Sequence, residues 1–262
     1  MNGRKRYGRS AVAAAVAALS LVLGGCAVEP DAPDLVRFQA GVAQGRDADA
    51  RAKASGTTDC RVAKCIALTF DGGPGRDTAR LLDILRREQV PATFFLLGDK
   101  HVTRYPDVVR RMAREGHEVA NHTWTHRILV NHSEAEVRDE LARTQKAIAD
   151  VTGRAPTLMR PPQGRTNPMV TGVARDLGLS LVLWDNTARD YATTDSALIE
   201  SRVLAQAKRD GIVLLHDIYD GTVPAVPGIV AQLKKRGYTL VTVPQLIAPA
   251  LPQPGQVFRP TY

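Results

Sequence analysis

The feature that most constrains the fold is the alternation, from Lys64 onward, of short apolar runs with helical patterns. Continuous apolar runs are typical of strands buried on both faces, and such strands separated by helices form parallel sheets or barrels. The predicted strands are 66–70, 93–97, 118–120, 179–184, 212–215 and 240–243, and the predicted helices are 78–88, 105–114, a long one from 133, 196–209 and 226–236. This pattern predicts six or seven strand-helix units.

The long helix carries the clearest local signals. Ser133 and Glu136 have the spacing of a capping box, and Gly153 is placed to end the helix. Between them, apolar residues recur at helical spacing over 137–151. We assign this stripe to the core rather than to a cofactor site.

The length and composition fit one globular domain. Of 262 residues, 44% are hydrophobic and 24% are charged, which excludes a disordered chain, a collagen and a multi-span membrane protein. A single α/β barrel fills about 250 residues. We therefore expect one domain over 58–248 and find no internal repeat.

The first residues have the pattern of an export signal. The basic segment Arg4–Arg9 precedes the apolar run Ala11–Leu23, which is too short to span a membrane. Residues 1–25 are therefore predicted to be a signal peptide. The ending Leu-Gly-Gly-Cys resembles a bacterial lipobox, so Cys26 would carry lipid on the outer face of the membrane. The alternative is an ordinary signal cut near Ala27, with a secreted product.

Two flanking segments lack strand or helix patterns. Residues 26–57 are rich in Ala, Asp, Arg and Gly and predict a flexible tether, and the Pro-rich tail 249–262 predicts irregular structure. The formal net charge of +8 falls to +4 once the four basic residues of the signal are set aside. This charge suits anionic wall polymers better than nucleic acid, for which no motif is present. We expect a monomer whose only membrane contact is the lipid anchor.

The remaining cysteines form a pair. Cys60 and Cys65 are an even number in an exported chain, which predicts a disulfide. A two-cysteine metal site is the alternative, but no further cysteine exists to complete it.

Polar residues follow several predicted strands. Asp71 ends the first strand before Gly72-Gly73-Pro74, and His122 and His126 follow the third strand four residues apart, a spacing that can converge on one metal. Further polar residues at later strand ends are Arg160, Asp190 and His216. Alone, each has a plain interpretation as a turn former, a surface histidine or a structural residue. Their joint occurrence at successive strand ends favours an active site.

The order of these motifs resembles the polysaccharide deacetylases of the NodB-homology group, carbohydrate esterase family 4. The motifs are Thr69-Phe70-Asp71-x-Gly73-Pro74, His122-x-x-x-His126, Arg160-x-Pro162-x-Gly164, Asp190 and Leu215-His216-Asp217, within about residues 59–248. The resemblance implies a distorted (β/α)-barrel with about seven units and a divalent metal, usually zinc. It also implies hydrolysis of acetyl groups on N-acetylated sugar polymers such as peptidoglycan or chitin.

The resemblance also implies roles on the metal side of the site. Asp71 would be the general base, His122 and His126 the metal ligands, and Arg160 the residue that orients Asp71. The family motif has a second aspartate as metal ligand, whereas this chain has Gly72. We therefore expect metal binding at least about 10 to 100-fold weaker, unless Asp71 itself turns onto the metal.

On the other side of the site, the resemblance implies a proton donor and an oxyanion donor. His216 would be the general acid, tuned by Asp190, because an amide nitrogen must be protonated to leave. A backbone N–H near Gln163 would stabilise the oxyanion.

Three functions compete on these observations. The first is a metal-dependent deacetylase with an altered site, the second a weak or inactive homologue that binds wall polysaccharide, and the third an esterase on O-acetylated sugars such as xylan. Trp124, Trp184 and Tyr191 lie beside the motifs, where they would stack on sugar faces or belong to the core.

Overall fold

The structure is a computed structural model that describes residues 58–250 and 253–260. The predicted signal peptide 1–25, the anchor residue Cys26 and the tether 26–57 lie outside the described residues. Within the described part of the chain, no helix has the length and apolar character needed to cross a membrane.

In the described ranges, nine strands form one sheet in which every strand pair is parallel. The order is β6-β7-β1-β2-β3-β4-β5-β9, with β8 paired to β1. The strands are β1 Cys65–Asp71, β2 Thr93–Leu96, β3 Glu118–Asn121, β4 Leu158–Met159, β5 Ser180–Val182, β6 Asn186–Thr187, β7 Gly211–Leu215, β8 Thr239–Val241 and β9 Val257–Phe258.

Helices follow most of the strands. They are α1 Thr78–Glu88, α2 Pro106–Arg114, α3 Glu134–Thr152, α4 Pro168–Asp176, α5 Ser196–Gln206, α6 Thr222–Lys235 and α7 Val243–Ile247. The strands curl into a partial barrel with helices outside, and the predicted distorted barrel with about seven strand-helix units is confirmed.

Strand β1 is the centre of the sheet. Its residues 66–70 pair with β7, while on the opposite edge 65–67 pair with β8 and 69–71 pair with β2. All seven of its residues are buried. Since every neighbour runs parallel, the carboxyl end of β1 at Asp71 lies in the middle of the rim where the other strands also end.

The two faces of β1 enter two apolar clusters because side chains alternate along a strand. Ile66, Leu68 and Phe70 pack with the surrounding helices. Cys65 and Ala67 point to the inner cluster. A strand buried on both faces reads as a continuous apolar run, which is why its sequence predicted it so well.

The long helix α3 begins and ends at the residues that its sequence predicted. The Ser133 hydroxyl accepts from the Glu136 N–H and the Glu136 carboxylate accepts from the Ser133 N–H at 2.9 Å, which completes the capping box. Gly153 ends the helix with a left-handed φ of 76°. Both ends therefore satisfy backbone groups that a helix end leaves unpaired.

Several elements were not predicted from the sequence. Strands β4, β6 and β9 have two residues each, and so short a segment carries no periodic signal. The expectation of an irregular tail is wrong at Val257–Phe258, which pairs with β5. The Cys60 and Cys65 sulfurs lie at bonding distance, with Cα atoms 5.5 Å apart.

Candidate active site

The polar residues predicted at strand ends meet on one rim of the sheet. Asp71 ends β1, His122 directly follows β3, Arg160 directly follows β4, and His216 directly follows β7. Asp190 opens a short turn after β6. All five are buried or nearly so, with Arg160 fully buried.

Asp71 is held by a buried ion pair. Arg160 Nη1 donates to Asp71 Oδ1 at 2.7 Å, and the same nitrogen donates to Thr69 Oγ1 at 2.7 Å. Arg160 Nε donates to the Val182 carbonyl at 3.1 Å, and its guanidinium lies 4.1 Å from the Phe95 ring centre. Burial lowers the pKa of Arg160 and Asp71 opposes this shift. The pair fixes one carboxylate oxygen and leaves Oδ2 to face the site.

His122 faces that free oxygen. Its Nε2 lies 3.8 Å from Asp71 Oδ2, and its Nδ1 lies 2.7 Å from the Arg160 carbonyl. A carbonyl only accepts, so Nδ1 carries the proton and Nε2 presents a lone pair. Burial lowers the pKa of His122 to about 4, so the ring is neutral at pH 7. A neutral imidazole with its second nitrogen fixed by a carbonyl is the form that binds metal.

His126 joins His122 through a loop, not a helix. The two ring centres are 5.0 Å apart, and burial lowers the pKa of His126 as well. Thr123 and His126 have positive φ of 76° and 64°. The buried Glu140 of α3 stabilises this turn, because its carboxylate accepts from Thr125 N–H at 2.7 Å and from Thr125 Oγ1 at 2.6 Å. Sequence reasoning missed Glu140, an acidic residue within the predicted apolar stretch 137–151.

Gly72 has a backbone conformation that favours glycine. Its φ is +82°, its N–H donates to the Phe95 carbonyl at 3.0 Å, and a Cβ added here would lie 3.3 Å from Ile218 Cδ1. In the described residues, no group of three His, Cys, Asp or Glu side chains has the geometry of a metal site. His122 and His126, with ring centres 5.0 Å apart, offer two nitrogen ligands at most. That is one protein ligand fewer than catalytic zinc sites commonly have.

His216 and Asp190 form a second buried pair. Asp190 Oδ1 lies 2.8 Å from His216 Nδ1, while Asp190 Oδ2 accepts from the His216 N–H at 2.6 Å and from Thr222 Oγ1 at 2.7 Å. Burial lowers the pKa of His216, but the hydrogen bond and charge of Asp190 outweigh it, and the net shift is upward. His216 therefore keeps its proton to a higher pH than a free imidazole, with Nε2 left to act on a ligand.

Aromatic rings flank His216. Tyr191 is 58% exposed and Tyr219 is 38% exposed, and both rings meet the His216 ring edge to face, with centres 6.3 and 5.3 Å away. They line a cavity of about 510 Å³. Trp124 instead packs under Arg143, and Trp184 packs against the site arginine. Of the three predicted sugar-stacking rings, Tyr191 is the exposed one.

Gln163, the predicted oxyanion donor, lies three residues after Arg160. It belongs to the 3-10 turn Pro162–Gly164 and has a left-handed φ of 57°. Its side chain is exposed, so any contribution to the site comes from its backbone.

Asp217 is a buried carboxyl that sequence reasoning did not single out as a site residue. It is 1% exposed, hydrogen-bonds to Thr78 Oγ1, and leaves Oδ1 without a partner in the described part of the chain. A Cβ at Gly73 would come within 2.3 Å of this oxygen, so only glycine fits there. Burial raises the pKa of Asp217 to about 6, against the lowering effect of Thr78.

Comparisons with known proteins agree on one family. The sequence profile described as "Polysaccharide deacetylase" matches residues 58–182. The peptidoglycan-N-acetylglucosamine deacetylase PgdA of Listeria monocytogenes is 40% identical over 199 residues, which cover 76% of this chain but only 42% of the Listeria protein. The chitooligosaccharide deacetylase of Bradyrhizobium sp. (strain ANU 289) is 39% identical, over 70% of this chain and 90% of that protein. The solved structure "T48 deacetylase with substrate" is 39% identical with a TM-score of 0.74, and covers 77% of this chain and all of that one.

The His216–Asp190 pair generates a titration prediction. In Asp190→Asn the charge that raises the His216 pKa is lost while burial remains, so we expect the pKa to fall below that of a free imidazole. NMR titration of the imidazole measures this, with the other histidines as internal controls. An unchanged His216 pKa would contradict the assigned cause.

The stability that the His216–Asp190 pair supplies is present below pH 6.5 and is lost as the pH rises through the native pKa.

Asp217, an acid rather than a base, generates a second prediction about stability and pH. The native carboxyl holds its proton up to about pH 6 whereas the unfolded one loses it near 3.8, so stability falls as the pH rises through this window. The free energy of unfolding of Asp217→Asn, relative to that of the natural protein, should be about 3 kcal/mol higher at pH 7 than at pH 3.5. Urea unfolding over this pH range measures the difference. A gap that stays constant with pH would refute the shift.

Proposed function

The chain belongs to the polysaccharide deacetylase family, and we propose that it hydrolyses N-acetyl groups on a cell-wall or chitin-like polysaccharide. One observation carries the proposal. The oriented carboxylate of Asp71, the paired imidazoles His122 and His126, and the His216 ring bonded to Asp190 share one rim of the sheet. A carboxylate that accepts a proton and an imidazole that donates one are what amide hydrolysis requires.

Asp71 supplies the base. Arg160 occupies Oδ1, so the carboxylate cannot rotate freely and Oδ2 remains to accept the proton of the attacking water. That water oxygen then bonds to the carbonyl carbon of the acetamide. Because Arg160 is itself buried and hydrogen-bonded to Thr69, the base is held in place before substrate arrives.

His122 and His126 are the residues that would hold a divalent ion, and two nitrogen ligands favour zinc. When bound, such an ion supplies a Lewis acid that acidifies water and polarises the acetamide oxygen. Burial lowers the pKa of both imidazoles, to about 4 for His122, so protons compete less for their lone pairs. The backbone N–H of Gln163 is the proposed second donor to the developing oxyanion.

His216 supplies the acid and distinguishes amide from ester substrates. Its Nδ1 is bonded to Asp190, so Nε2 gives the proton to the nitrogen as the C–N bond breaks, leaving acetate and a free amine on the sugar. An ester oxygen leaves without such help far more readily. Asp190 is present in this chain and raises the pKa of His216, which favours the N-acetyl over the O-acetyl substrate.

Gly72 supports the second candidate, a homologue that binds polysaccharide with little or no turnover. The position that carries a carboxylate ligand in the family has no side chain here, and the described residues supply no third ligand. If Asp71 turned onto the metal instead, the site would lose its base. Restoring the missing side chain separates these candidates.

We expect the natural protein to bind zinc weakly and to release acetate from N-acetylglucosamine oligomers, and Gly72→Asp to bind zinc at least about 10-fold more tightly. Aspartate is among the residues that tolerate a left-handed φ, and Ile218 Cδ1 is a flexible end that can give way. Gly72→Asn is the matched control, with the same shape but no charge. Dialysed metal content and acetate release are measured on all three proteins, with chelated samples as the baseline.

If the natural protein holds no zinc and releases no acetate while Gly72→Asp does both, the deacetylase proposal fails and the binding homologue stands. Equal gains in Gly72→Asn would show that backbone geometry, not the carboxylate, limits the site.

The proposal extends to location. The basic and apolar pattern of residues 1–25, the lipobox-like Cys26 and the close pair Cys60 and Cys65 together support an exported, lipid-anchored protein in an oxidising compartment. We expect the full chain to fractionate with membranes and Cys26→Ala to appear in the soluble or secreted fraction. Detergent phase partitioning measures this. A Cys26→Ala protein that stays with membranes would rule out the lipid anchor.

A further inference from the structure

A groove adjoins the active-site rim on the side of β2. It has a volume of about 450 Å³, within the usual range for ligand sites, and lies between the turn after β1, the segment between β2 and α2, and the loop after β7. His101 lines it and places Nδ1 3.0 Å from the Pro74 carbonyl, in the same turn that follows Asp71.

The acidic wall of the groove shares one guanidinium between two carboxylates and so keeps a net negative charge. Arg76 donates to Asp77 at 3.0 Å and to Asp220 at 2.5 Å. Asp217 also lines the groove but is 1% exposed, and its Oδ2 accepts a hydrogen bond from Thr78 Oγ1.

The opposite wall is basic and unpaired. Lys100, His101 and Arg104 line it, and among the described residues neither Lys100 nor Arg104 has a carboxylate within ion-pair distance. The Arg104 guanidinium lies over the Tyr105 ring at 5.5 Å, which leaves its edge nitrogens free to donate. This wall therefore offers an ammonium and a guanidinium to an anion.

The basic wall is fixed by the backbone. Lys100 has a left-handed φ of 57° inside the segment Gly98–Val102, an uncommon conformation for a residue other than glycine. The N–H groups of Gly98 and Asp99 donate to the carbonyls of Thr123 and Trp124 at 3.1 and 3.0 Å. Because Thr123 and Trp124 belong to the loop of the metal histidines, the basic wall and that loop are held as one unit.

We propose that this groove is a subsite for a carboxylate on the polymer, carried by a sugar next to the one that loses its acetyl group. The inference rests on the proposed function and specifies its substrate. Ammonium and guanidinium groups bind carboxylates by charge-assisted hydrogen bonds. Peptidoglycan carries such carboxylates on its stem peptides, or on its lactyl groups once the peptides are removed, whereas chitin oligomers carry none. The unpaired basic wall thus favours anionic N-acetylated glycans over neutral ones.

The test uses Lys100→Ala/Arg104→Ala in the otherwise natural chain. A matched control, Arg114→Ala/Lys235→Ala, removes the same charge at exposed positions outside the groove. Substrates are chitin oligomers, peptidoglycan glycan stripped of stem peptides, and glycan that retains them. Binding by calorimetry and acetate release are both measured, at low and high salt.

We expect the groove variant to lose about 5 to 10-fold in affinity and in kcat/KM on carboxylate-bearing glycan, mostly through KM. The loss shrinks at high salt, and chitin oligomers are unaffected. The control variant should match the natural protein on each substrate. Comparing the two peptidoglycan forms shows whether the lactyl group or the stem peptide supplies the carboxylate.

Equal losses on neutral and carboxylated glycans, or no loss on either, would overturn the subsite. A preference that appears only when phosphate-containing wall polymers remain attached would assign the contact to phosphate and also overturn it. Failure of the deacetylase proposal is distinguishable, because it would abolish acetate release from every substrate while the calorimetric difference between the variants persists.

Discussion

The structure of the site depends on one buried cation, the guanidinium of Arg160. The guanidinium donates to Asp71, Thr69 and the Val182 carbonyl. The backbone carbonyl of the same arginine accepts from His122. These contacts join the ends of β1, β4 and β5 and the loop after β3. Breaking a buried ion pair costs about 3–5 kcal/mol, since an unpaired charge remains inside the protein. Base orientation and histidine tautomer therefore share one cause.

The same fold shifts the pKa values of two imidazoles in opposite directions. His122 is fully enclosed and its nearest hydrogen-bond partner is a carbonyl, so burial dominates and lowers its pKa to about 4. His216 is also buried, but a carboxylate bonded to its Nδ1 outweighs the desolvation and raises its pKa. Neutral nitrogens suit metal binding and a charged ring suits proton donation. The environment of each ring, rather than its residue type, thus divides the chemistry of the site between its two sides.

The long elements and the motif positions were predictable from sequence, whereas the supports of the site were not. Helix α1 has the predicted bounds 78–88, and the capping box of α3 is formed as expected, because these signals are local. Glu140 and Asp217 gave no such signal. Their roles come from burial beside a loop that is distant along the chain, which residue type and spacing do not encode.

The sequence by itself determined the parallel α/β architecture, the set of polar residues at strand ends and the absence of a side chain at Gly72. Those properties follow from hydrophobic periodicity and residue identity. Only the tertiary structure decided that Asp71 meets Arg160 across 89 positions, that Tyr191 is exposed, and that Lys100 and Arg104 border a groove. The physical reason is that strand order and loop packing set distances between residues remote in sequence, and the charge and burial of each group follow from those distances.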